Sequence, residues 1–284
     1  MSMKDVRLKQ RLITLVEQLS CKPTESIPLA CGNWAKTKAA YRFWDNKKVD
    51  FNEIIAAGQL STLDRMKDEE IILAIQDPTD LDFTHHPHTQ GLGHLEAAYL
   101  RGIKVHTTLA VSGEGVPLGV LGQEIWTRDL ETIGKKHKRK QKETSEKESQ
   151  RWLTAQQQTV INTQGKQKII TVADRAADIF DLFSQASNNN GDFLIRACHN
   201  RRVESELSYL IPTIEAAPIA GEMNVEIKRN SHSAARIARL NIQFMSMTIY
   251  QPANRTIAQS LPPVTVNVIL ATETDFPPFL VSAS

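Results

Sequence analysis

The sequence predicts a mixed α/β chain: a small basic helical module, a core of alternating strands and helices, and a β-rich tail. Three observations carry this. The apolar period is helical in the first quarter and changes to strand-like near residue 70. Strand and helix patterns then alternate up to about residue 196, and after about residue 220 only strand patterns remain.

Leu8, Leu12, Leu15, Val16 and Leu19 form one stripe, so residues 6–20 read as a helix closed by Ser20-Cys21-Lys22-Pro23. Asn33 is a good N-cap for a second helix through Trp34, Ala39, Ala40 and Phe43. Asp50 with Glu53 resembles a capping box opening a third. Residues 1–66 are therefore expected to be one helical module. The run from Ile71 to Ile75 reads as a buried strand and Asp77-Pro78-Thr79-Asp80 as a turn. Alternation from Ile103 to Val111, a turn at Ser112 to Gly115, and Leu118 to Trp126 predict a hairpin. A helix from Glu146 to about Thr163, a strand at residues 169–173, a helix through Ile179 and Phe183, and a strand at residues 193–196 follow. Hairpin strands, then helix, strand, helix, strand is the order of a ribonuclease-H-like domain, placed at residues 67–200. Residues 201–284 carry strand patterns at Val225 to Arg229, Ile237 to Met245 and Val264 to Leu270.

Composition narrows the function. With 284 residues, 41% of them hydrophobic, the chain can bury a full core, and its apolar runs are too short to span a bilayer. The start of the chain shows no signal-peptide core, and the three cysteines show no C-x-x-C pairing. A reducing cytoplasm and no membrane partner are the expectation. The net charge is +2, but residues 1–50 hold ten Lys/Arg against five Asp/Glu, and Lys135 to Lys142 holds six cations in eight positions. Such segments either neutralise phosphates or are solvated faces.

Asp77 and Asp174 share one setting, each just beyond an apolar strand. The open ends of such strands are where α/β sheets build ligand sites, and two carboxylates there can hold a hard cation such as Mg²⁺. Equally, each aspartate can start a turn or cap a helix. His85, His86, His88 and His94 read as a surface hairpin tip, without the spacing of a zinc site. No G-x-S-x-G elbow occurs. Trp34, Tyr41, Phe43 and Trp44 interleave with Lys36, Lys38 and Arg42, a mixture suited to DNA or to an amphipathic core helix.

Several words match one family in order. Gly32-Asn33-Trp34-Ala35-Lys36-Thr37-Lys38-Ala39-Ala40-Tyr41-Arg42-Phe43 resembles the N-terminal DNA-binding module of Tn-five-like transposases, bacterial DDE enzymes of the IS-four insertion-sequence family. Leu73-Ala74-Ile75-Gln76-Asp77-Pro78-Thr79 resembles the segment with their first catalytic aspartate. Val172-Ala173-Asp174-Arg175-Ala176-Ala177-Asp178-Ile179 resembles the segment with the second, a D-R-x-x-D-I pattern. Arg101-Gly102 with Val105-His106, Gln123-Glu124-x-Trp126, Glu146-Lys147-Glu148-Ser149-x-x-Trp152, and Phe193-Leu194-Ile195-Arg196 with His199 and Arg201 also match. The resemblance runs from about residue 20 to about residue 270.

This resemblance implies a ribonuclease-H-like catalytic domain with a β-rich insertion and Asp77 and Asp174 as metal ligands for Mg²⁺ or Mn²⁺. It implies Arg196 and Arg201 near DNA, with Lys36, Lys38 and Arg42 in the N-terminal module. It also implies binding to terminal inverted repeats and target DNA, dimerisation on DNA, and cut-and-paste cleavage and strand transfer. The family's third acid lies in a Y-x2-R-x3-E-x6-K pattern, and that spacing is absent from these residues. The expectation is a C-terminally truncated chain, catalytically incomplete alone. The competing readings are a non-catalytic DNA-end-binding remnant that inhibits transposition, and a stand-alone nuclease recruiting Glu204 or Glu226.

Overall fold

The computed structural model describes residues 5–133, 148–163, 167–188, 191–229, 234–253 and 260–274. The Lys135 to Lys142 run, Glu146-Lys147 and Phe279 to Ser284 lie outside the described residues. The chain forms two compact units, one of Met1–Lys142 with Thr154–Val172, the other of Glu143–Leu153 with Ala173–Ser284. Helix α5 (Gln150–Thr163) and strand β5 (Lys168–Ala173) each contribute residues to both.

The first unit opens with α1 (Val6–Ser20), α2 (Ile27–Cys31), α3 (Trp34–Trp44) and α4 (Phe51–Arg65). Polar caps set these starts: Asp5 accepts from the Arg7 N–H, Asn33 from Lys36 at 3.0 Å, and Asp50 from Asn52 at 2.8 Å. Each satisfies a backbone donor that a helix start leaves unpaired. The expected caps at Asn33 and Asp50 are present, although the donor to Asp50 belongs to Asn52. The short α2, which lacks a long apolar period, was not anticipated; it ends on Gly32 at φ +78°. Leu12, Leu15, Cys31, Ala40 and Phe43 form the core of this bundle, with Ile54 of α4 packed against it.

The sheet of this unit runs β4 (Pro117–Trp126), β3 (Arg101–Ser112), β1 (Ile71–Asp82), β5, with the two-residue β2 (Gly93–His94) also on β3. The expected turn at residues 77–80 is corrected: β1 continues through it, pairing Asp77 with Thr107, Pro78 with His106 and Asp80 with Lys104. A proline fits a strand where its missing N–H faces away from the ladder. The Asp80–Lys104 ion pair, with Lys104 buried, fastens the continued strand.

One face of this sheet is covered by α4. Leu63 and Met66 meet Ile72, Ala74, Ala110, Leu118, Leu121 and Ile169. Polar side chains of α4 reach backbone carbonyls of β4: Gln59 Nε2 donates to Leu121 at 2.7 Å, Thr62 Oγ1 to Val120 at 3.0 Å, and Arg65 Nε to Leu118. This close approach requires Gly119, at φ +139°, because a Cβ there would strike Thr62 and lie 2.6 Å from the Arg65 guanidinium. Gly119→Ala is expected to cost about 1–3 kcal/mol, combining strained backbone with overpacking. Thermal unfolding measures this, and an unchanged midpoint would refute it.

In the second unit, β5 ends at Ala173 and a 3-10 turn (Arg175–Ala177) leads into α6 (Phe180–Asn188), then β6 (Asp192–Ile195) and α7 (Leu210–Glu215). Strands β7 (Ile219–Ile227), β8 (Arg236–Ile249) and β9 (Val264–Glu273) form an antiparallel sheet in that order. Met247, Ile249 and Val264 alternate onto one face and pack on Phe180, Phe183, Leu210 and Ile214. The other face leaves the Phe244–Ile269 pair exposed.

Candidate nucleic-acid interface and carboxylate sites

Helix α3 separates its residues sharply. Thr37, Ala40 and Phe43 are buried, while Trp34 (75%) and Tyr41 (51%) are exposed. At 3.6 residues per turn, Trp34, Lys38 and Arg42 fall at i, i+4 and i+8 and make one outward stripe, with Tyr41 beside it. Tyr41 meets Trp44 edge-on at 5.9 Å. Lys36 is exposed too, but two residues' rotation carries it off that stripe. Of the three α3 cations expected on DNA, Lys38 and Arg42 share a face, and Lys36 does not.

Asp77 is exposed on β1. Strand alternation puts Ile72, Ala74 and Gln76 on the face covered by α4 and Asp77 on the opposite one. Gln76 and His106 are buried beneath it, with His106 Nε2 3.1 Å from Gln76 Oε1.

Asp174 belongs to the second unit and is exposed beyond the end of β5. One of its carboxylate oxygens accepts from the Ala176 N–H at 2.8 Å, so it caps the 3-10 turn. Arg196 is brought beside it: the Arg196 N–H donates to the carbonyl of Ala173 at 3.3 Å, and the side chain is exposed.

Arg201 has a different place from the one expected. Its guanidinium is 8% exposed, pairs with Asp178 and lies 5.3 Å over the Phe183 ring. Its charge is committed inside the unit, so it clamps Asp178 instead of reaching for phosphate. Asp178, the second carboxylate of the D-R-x-x-D-I pattern, is the site residue that sequence reasoning passed over. It also accepts from the N–H groups of Cys198 at 2.7 Å and His199 at 2.8 Å. Burial alone would push its carboxyl up, but the Cys198 N–H, the Arg201 guanidinium and the His199 N–H together hold it below the usual range.

Asp178, Cys198 and His199 bring potential metal-ligating atoms within 4.8 Å of one another. The Asp178 oxygens are already engaged by Arg201 and two N–H groups, which argues against a cation there. Burial and the Asp178 charge raise the Cys198 thiol, which disfavours the thiolate a metal requires. Cys198 is therefore expected to alkylate severalfold faster in Asp178→Asn than in the wild type at mildly alkaline pH, followed by mass spectrometry. Equal rates would show that Asp178 does not govern the thiol.

These arrangements define an exposed basic and aromatic helix of the nucleic-acid-binding class, and separately two solvent-facing carboxylates, Asp77 on β1 and Asp174 beyond β5. Residues 1–49 match a family described as transposase DNA-binding, a match that spans α1 to α3 and ends just before the Asp50 cap of α4. The match supports a transposase and makes DNA its partner. Among the described residues no helix is long and apolar enough to cross a membrane.

Proposed function

We propose that this chain is a DDE-type transposase of the IS-four insertion-sequence family that binds the terminal inverted repeats of its element through α3. The transposase DNA-binding match over α1 to α3 carries the reading. In this reading residues 67–200 form a ribonuclease-H-like core, residues 201–284 a β-rich insertion, and the protein dimerises on DNA in the nucleoid. The strand order β4-β3-β1-β5 supports such a core, with antiparallel pairing of β1 with β3 and of β3 with β4.

Asp77 and Asp174 fit a divalent hard cation by their donor chemistry. Both are exposed carboxylates, and neither has an ion-pair partner among the described residues, whereas Asp80 and Asp178 are each neutralised by a cation. Mg²⁺ or Mn²⁺ would supply charge stabilisation for phosphodiester cleavage. The chain's own contribution is then to hold Asp77 on a paired strand, to fix Asp174 through the Ala176 N–H, and to set Arg196 alongside it.

These residues contain no Y-x2-R-x3-E-x6-K stretch. A second reading is a DNA-end-binding protein that inhibits transposition by occupying the ends. A random-sequence duplex library is passed over the chain, and the retained duplexes are assayed by band shift and for nicking with Mg²⁺ or Mn²⁺. Sequence-selective binding with little cleavage is expected of this chain alone. Robust cutting would overturn the second reading, and absence of duplex binding would overturn both.

A further inference from the structure

The segment after β6 is tied down at several points. The Arg196 N–H bonds Ala173, Asn200 Oδ1 accepts from the Ile211 N–H at 2.9 Å, the Arg201 carbonyl accepts from Leu210 at 2.9 Å, and the Arg202 carbonyl from Tyr250 at 2.9 Å. At its centre is Asp178, 5% exposed, with Cys198 and His199 N–H groups on one oxygen and the Arg201 Nε on the other at 3.0 Å. Arg201 also donates to the Asp178 backbone carbonyl at 2.8 Å, and it rests over Phe183, which stacks on Phe193 at 4.8 Å. Side chain and backbone of one residue are thus gripped by one guanidinium.

Two cationic side chains stay outside this knot. Arg196 and Arg202 are both exposed. The ion pair cancels the charge of Asp178, which as a free carboxylate so close by would repel a phosphate. We infer that Asp178 is a positioning residue: with Arg201 it latches residues 196–202 to the turn after Asp174, so that Arg196 and Arg202 present one ordered edge to DNA phosphates. This rests on the DNA-processing reading above.

The test measures how the affinity of the full chain for a random-sequence duplex depends on salt. Removing one cation that neutralises a phosphate lowers the slope by about one. Arg196→Ala is expected to lower it by about one in the wild type and by less than half of that in the Asp178→Asn background. Lys38→Ala, on α3, lowers it by about one in both. Arg201→Lys repeats the cycle with the charge retained and the two-pronged grip removed, which covers the case in which Asp178→Asn unfolds. An equal decrease from Arg196→Ala in the latched and unlatched proteins overturns the inference. So does no decrease in the wild type while Lys38→Ala still has its effect. If neither Arg196→Ala nor Lys38→Ala changes the slope, the DNA reading itself fails.

Discussion

Asp178→Ala is expected to destabilise the protein by about 3–5 kcal/mol, because it strands a guanidinium that is buried and otherwise without a charge partner among the described residues. The effect has a second part. The Cys198 and His199 N–H groups also lose their acceptor, a smaller loss because both residues are exposed and water can replace it. Replacing both ion-pair partners together, Asp178→Leu with Arg201→Met, should cost less than the single change, because no charge is left behind. The same residue gives the protein an acid limb. Its carboxyl is depressed below the ordinary value of 3.8, with burial opposing and the Cys198, Arg201 and His199 donors prevailing. The folded state therefore releases this proton more readily than the unfolded chain. The stabilisation is complete above the ordinary carboxyl value and is lost as pH falls through the depressed one. Thermal unfolding from neutral to strongly acidic pH should show a steeper acid decline in the wild type than in Asp178→Asn. Parallel declines would mean that the pair contributes nothing to stability.

The second large effect concerns α3. Lys38→Ala with Arg42→Ala should reduce the salt slope of DNA binding by about two and weaken affinity roughly tenfold or more at moderate salt. Lys36→Ala should do much less, since Lys36 stands off the Trp34-Lys38-Arg42 stripe. Neither Lys38 nor Arg42 is buried, so unfolding should barely move. Fluorescence anisotropy of a labelled duplex across a salt series measures this. Equal effects of Lys36 and Lys38 would mean that the cations act as diffuse charge and not through one helix face.

Much of this architecture was legible because its signals are local. Asn33 and Asp50 cap helices through N–H groups two or three residues away, and apolar stripes such as Leu8, Leu12 and Leu15 are written within one helix. Strand ends beside Asp174 were legible for the same reason. The misread turn at Asp77 to Asp80 shows the limit. Asp-Pro-Thr-Asp has turn composition, yet pairing with residues 104–107 of β3 keeps it extended. Arg201 and Asp178 are 23 residues apart, and nothing local distinguishes an arginine bound for phosphate from one bound for a buried carboxylate.

The sequence by itself determined the caps, the helical and strand periods, the basic aromatic helix and the strand end before Asp174, because each depends on neighbours within a turn or a strand. Only the tertiary structure decided that α4 is bound to β4, which face of α3 is left exposed, and that Arg201 is consumed by Asp178. The α4 and Arg201 outcomes follow from desolvation and pairing between distant residues. The α3 outcome follows from the burial of Thr37, Ala40 and Phe43, which turns Trp34, Lys38 and Arg42 outward.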